Sequence, residues 1–198
     1  MRRIYNNVII KNFNSSSANY IRTIQCAIEA VNYLFNIDID SFLARYNKVL
    51  YIIKREISTH HISALTKENN MNSVYIYLYN NSFNGNNNFF KNANKNLFDS
   101  IVHEFGHVLD ILSSFYLSCS LMQETNSYYI NTEYFPCGTG DYNGTTKLGH
   151  MNHYEDFAES FTVCVCGAEY EDMQGVYVNS FRKKTTKKII RDFKYGKY

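Results

Sequence analysis

Two stretches of the chain place apolar residues at helical steps of three and four. In the first, Ile21, Ile24, Ile28, Val31 and Leu34 follow Ser15-Ser16-Ser17, a run of N-cap candidates. The spacing predicts a helix over about 17–35. The second runs from Leu97 to Tyr116, LFDSIVHEFGHVLDILSSFY. Leu97, Ile101, Phe105, Val108, Leu112 and Phe115 recur along it, with Phe98, Val102 and Leu109 beside them. The apolar surface wraps most of this cylinder, which predicts a buried helix.

Between them the period changes to two. Residues 48–57, KVLYIIKREI, are β-branched and aromatic and predict a strand. From Ser73 to Tyr79, Val74, Ile76 and Leu78 face one way and Tyr75, Tyr77 and Tyr79 the other. That alternation predicts a half-buried strand, expected at the edge of the sheet beside the buried helix. Its Tyr row is either an amphipathic sheet surface or a platform on which an extended peptide pairs with the open edge. The polar residues 58–72 and the Asn-rich residues 80–96 are expected as loops. Residues 118–150 are expected as a long irregular stretch of the kind that forms lids. They hold the single Pro, Pro136, followed by Gly138, Gly140 and Gly144. No internal repeat is visible.

The buried helix carries His103-Glu104-Phe105-Gly106-His107, an H-E-x-x-H pattern. Positions i and i+4 share a helical face, so both imidazoles can reach one ion. That donor pair suits Zn²⁺. Glu104, turned about 100° from His103, can reach a water beside the metal and take its proton. Gly106 costs about 1 kcal/mol in a helix interior relative to Ala. A packing reason is therefore expected: close approach by the element that supplies the third ligand. The strongest candidates for that ligand are Glu155 and Glu159, one turn apart on one helical face: one can bind the metal while the other accepts the ring N–H of a ligand His. Phe157, Ala158, Phe161 and Val165 supply an apolar side to the same segment. His150 and His153 are rival ligands. The compact three-histidine extension of the motif is excluded, because it needs Gly and His where this chain has Asp110 and Ser113.

Length and charge narrow the class. With 198 residues, 45% hydrophobic and 19% charged, the chain reads as one globular domain, with two lobes at most. No apolar run reaches the roughly 18 residues of a membrane span. The start shows no signal-peptide pattern, so either an intracellular protein or a mature form is expected. The five cysteines, Cys26, Cys119, Cys137, Cys164 and Cys166, match no zinc-knuckle or C-x-x-C spacing and are expected as small buried thiols. Eight of the 20 Lys/Arg and one of the 18 Asp/Glu lie in residues 181–198, leaving 12 basic and 17 acidic residues elsewhere. This basic terminal helix is expected to present a solvated face, and no nucleic-acid motif accompanies it.

HEFGHVLD (103–110) followed by EDFAESF (155–161) resembles the catalytic domain of anthrax lethal factor and the related clostridial Pro-Pro endopeptidases. The likeness covers about residues 97–193 by motif. It implies an α+β, zincin-like metalloprotease fold. A small twisted sheet and the metal helix would form an N-terminal lobe, about 1–117. A mostly helical C-terminal lobe, about 118–198, would supply Glu155, with the cleft between them. It implies His103, His107 and Glu155 as zinc ligands, Glu104 as general base, and Glu159 behind the ligands. The family places a Tyr seven residues before the ligand Glu; this chain has Leu148 there. Tyr142, Tyr154, His150 and His153 are then the candidate oxyanion donors. The expected function is zinc-dependent hydrolysis of an extended polypeptide, Pro-containing sequences included, by a monomer. The resemblance implies a secreted or delivered effector. The alternative, prompted by Leu148, is a toxin-like or recognition module that binds zinc and peptide without cutting.

Overall fold

The computed structural model describes residues 1–14, 17–56, 63–83, 93–125, 127, 149, 152–168, 170–171 and 180–197. Among these the fold is mixed α+β, with one five-stranded sheet and seven helices. The chain divides into two compact units, Met1–Glu104 and Phe105–Tyr198.

The first unit holds the sheet. Strands β1 (Arg2–Tyr5) and β2 (Val8–Lys11) form an antiparallel hairpin. The chain then passes through α1 (Ala18–Phe35) and α2 (Ile39–Arg45) to β3 (Val49–Lys54), which lies parallel to β2. Strands β4 (Ala64–Asn70) and β5 (Ser73–Leu78) are antiparallel to each other, and β5 is parallel to β3. The order across the sheet is β1-β2-β3-β5-β4. Register brings Val8, Leu50 and Val74 into one row and Ile10, Ile52 and Ile76 into the next. All six are essentially inaccessible to solvent, and they form the apolar face of the sheet.

The helix at 17–35 is present as α1. Ser17 is its N-cap, though the Ser17 hydroxyl bonds Asn14 Oδ1 rather than a helical N–H. Asn36 closes the helix in the left-handed conformation, φ 48°. In α2, Asp38 caps through its side chain to the Asp40 N–H.

Two expectations are corrected in the sheet. The strand Ser73–Leu78 is not an edge: it lies between β3 and β4. The edge next to it is β4, formed by residues expected as loop. The Tyr row is a packed ladder, with Tyr51 on Tyr75 at 5.0 Å and Tyr75 on Tyr77 at 6.0 Å. Lys11 sits over Tyr51 and Arg55 over Tyr77 as cation–π partners. These contacts favour the sheet-surface alternative over a bare platform.

The buried helix is α4 (Ala93–Leu112), preceded by the short α3 (Asn80–Phe83). Leu97, Ile101, Val102, Phe105, Val108 and Leu109 are fully buried, as the all-round apolar pattern requires. After Ser114 and Phe115, both at positive φ, the chain enters α5 (Tyr116–Glu124). The expected irregular stretch therefore begins with a helix; residues 128–148 lie outside the described residues. Helices α6 (His153–Cys166) and α7 (Ser180–Lys194) complete the second unit. Its core includes Leu117, Leu121, Phe157, Phe161, Ile189, Ile190 and Phe193.

The basic terminal helix is only partly a solvated face. Arg182 is buried and donates to Asp156 Oδ2 at 2.6 Å and Ser127 Oγ at 2.8 Å. Lys184, Lys187, Lys188 and Arg191 are exposed. The cysteines are also less buried than expected. Cys26 is exposed and Cys119, Cys164 and Cys166 are half-buried, all as free thiols. Cys137 lies outside the described residues. Burial pushes the Cys164 thiol up to about 12. Among the described residues no single helix is long and apolar enough to cross a membrane.

Candidate metal centre

Helix α4 presents His103 and His107 one turn apart, both half-buried. Helix α6 presents Glu155 in its first turn. Asn152 fixes that turn, accepting the Glu155 N–H on its Oδ1 at 2.9 Å. A cap of this kind is worth about 1 kcal/mol, and the acidic pair Glu155-Asp156 suits the positive end of the helix dipole.

One donor atom from each of His103, His107 and Glu155 lies within 4.8 Å of the others. His107 Nε2 is 3.5 Å from Glu155 Oε2. Two donors about 2.0–2.1 Å from one tetrahedral ion lie about 3.3–3.4 Å apart, so this pair already stands near the spacing of shared ligands. Two imidazoles and a carboxylate, with a fourth position left over, are the donor set of a catalytic zinc. Among the described residues no other group of His, Cys, Asp or Glu converges in this way.

Gly106 has the packing reason the sequence called for. A Cβ added there would lie 2.9 Å from Ala158 Cα and 3.3 Å from Ala158 Cβ. Thus α6, which supplies Glu155, packs directly on the backbone of α4 at the turn that carries His107.

Glu104 is 4% exposed, and its Oε2 accepts a hydrogen bond from Thr66 Oγ1 at 2.6 Å. Thr66 lies on β4, so reading residues 58–72 as a loop gave no signal for it. Glu159, one turn beyond Glu155, is 2% exposed, and both its oxygens lie 3.1 Å from the Tyr170 hydroxyl that donates to them. Tyr170 is a partner that the motif spacing does not reveal.

Asp110 and Ser113 stand where the compact three-histidine motif would need Gly and His. They cap α5 instead. Asp110 Oδ1 accepts the Ser118 N–H at 2.9 Å, and Ser113 Oγ accepts the Leu117 N–H at 3.2 Å. Burial raises the Asp110 carboxyl above its ordinary range, against the opposing pull of the Ser118 hydrogen bonds.

His153 opens α6 with its ring against Tyr154, centroids 3.8 Å apart, and burial lowers its pKa. Tyr154 meets the edge of Phe115 at 5.2 Å. His153 does not join the three converging donors. Tyr142, Leu148 and His150 lie outside the described residues. No family model, no curated protein and no solved structure matches this chain.

Proposed function

We propose that this chain is a zinc-dependent endopeptidase of zincin-like fold that hydrolyses an extended polypeptide. The convergence of His103, His107 and Glu155, with the buried carboxylate of Glu104 on the same helical turn, carries this reading. His103, His107 and Glu155 would hold the ion. Zinc, when bound, polarises a carbonyl and makes a water nucleophilic near neutral pH. Glu104 takes a proton from the attacking water as it adds to the scissile carbonyl, and then hands it to the departing amine. Burial keeps competing bulk water away from that carboxylate.

The purified full-length protein is expected to hold about one zinc per chain, and a chelator should abolish cleavage of a peptide library. Glu104→Ala should keep the zinc and lose about 10²–10⁴ in rate. Less than about 0.2 zinc per chain after gentle purification would refute the metal reading. Full zinc occupancy without turnover would identify a module that binds metal and peptide without cutting.

A further inference from the structure

We propose that Thr66 is the positioning residue for Glu104, and that it selects Oε1 as the oxygen that takes the proton. The inference rests on Glu104 acting as general base.

The hydroxyl of Thr66 has a single proton to give. Two oxygens of Glu104 are within its reach: Oε2 at 2.6 Å and the backbone carbonyl at 3.3 Å. The shorter distance falls in the range of about 2.5–2.7 Å for a hydroxyl donating to a charged carboxylate. The proton therefore goes to Oε2, and Oε1 is left with its lone pairs open.

A glutamate side chain turns about three bonds, and a base with that freedom spends much of its time pointing elsewhere. A general base has to hold one oxygen within about 2.6–3.2 Å of the proton it removes. Thr66 meets the requirement from a stiff platform. Its branched Cβ restricts χ1, and its backbone belongs to β4, paired with β5 opposite Ile76. The hydrogen bond also survives the reaction. When Oε1 has taken the proton from water, Oε2 is the carbonyl oxygen of a neutral acid and still accepts from Thr66. When Oε1 releases that proton to the leaving nitrogen, the starting arrangement returns. The proton passes from water to Oε1 to nitrogen, and Thr66 keeps its own throughout.

The test uses Thr66→Val, which removes the hydroxyl and keeps the branched shape, and Thr66→Ser, which restores the donor. Both should bind zinc as the native protein does in a chelator competition, because Glu104 is not among the ligands. Thr66→Val should lower kcat about 10–100-fold with KM changed less than about twofold. Thr66→Ser should stay within about threefold of native. Crystal structures of the zinc-loaded proteins give a readout independent of turnover. Glu104 should occupy one conformer in the native protein and in Thr66→Ser, and a second or shifted conformer in Thr66→Val. If Thr66→Val does not fold, Thr66→Ala takes its place with the same expectations. Native kcat in the hydroxyl-free variant, or a Glu104 carboxylate unmoved in it, overturns the proposal. If the native protein cleaves no peptide, the endopeptidase reading fails, and the Glu104 conformer alone decides whether Thr66 positions it.

Discussion

At Gly106 a single missing methyl group sets how closely α6 can approach α4. The nearest atom to an added Cβ is Ala158 Cα, at 2.9 Å, and a backbone atom cannot swing aside as a side chain can. Gly106→Ala gains about 1 kcal/mol of helix propensity but forces overpacking that typically costs about 1–3 kcal/mol. We expect the clash to win, with a melting temperature lower by a few degrees and weaker zinc binding, because Glu155 rides on the displaced helix. A variant that melts at or above the native temperature would show that α6 yields easily. The three converging donors were legible in the sequence because their spacing is local: i, i+4 on one helix, and a carboxylate on a second apolar-faced helix. Thr66 was not legible, since a hydroxyl 38 residues upstream of Glu104 reaches it only through the pairing of β4 with β5.

Among the elements of the second unit, α5, α6 and α7 are tied by a polar core as well as an apolar one. Arg182 of α7 reaches Asp156 of α6 at 2.6 Å, both nearly inaccessible, and also bonds Ser127 just past α5. Desolvating two charges is costly, so the pair adds little net stability, but removing one partner strands the other. Arg182→Leu should therefore cost about 3–5 kcal/mol in urea unfolding. Arg182→Leu combined with Asp156→Leu should recover much of it. If the double variant is as unstable as the single one, the charges are not the source of the loss. Elements with a strong period were legible: α1, α4 and β5 match the predicted spans to within a few residues. The elements missed are short or polar. Strands β1 and β2 have four residues each, and β4 reads ALTKENN with its last four residues exposed. Helix α5 owes its first turn to Asp110 and Ser113 of the preceding segment, which period counting along α5 does not register.

Across the whole sheet, alternation along β5 reports two differently buried faces and says nothing about edges; that is why an interior strand reads the same as an outer one. The exposed edge beside β5 belongs to β4, whose Lys67 and Glu68 are the charged residues that blunt outer strands against aggregation. Its outward groups follow from the ladder. The Tyr79 N–H donates to Ser63 O at 2.9 Å, which makes Ser63 and Tyr79 a hydrogen-bonded antiparallel pair. Bonded and non-bonded pairs alternate, so Leu65 and Lys67 direct their N–H and C=O groups toward β5. Ala64, Thr66 and Glu68 direct theirs outward. Thr66 thus presents its backbone at the free edge while its side chain holds Glu104. An extended substrate paired along β4 would bring its scissile bond toward that carboxylate, with Glu68 about two residues, or about 7 Å, further along. Glu68→Pro removes one outward N–H without taking a donor from the β4–β5 ladder, and outer strands and bulges tolerate proline. Glu68→Ala is the control for the lost carboxylate and its ion pair with Lys48. We expect Glu68→Pro to retain zinc and a native circular dichroism spectrum while cleavage of a long peptide falls about 10-fold or more, the loss of about one well-made main-chain hydrogen bond. Glu68→Ala should change it less than about twofold, as expected for an exposed ion pair. A folded, zinc-loaded Glu68→Pro protein that cleaves at the native rate would place the substrate on another edge.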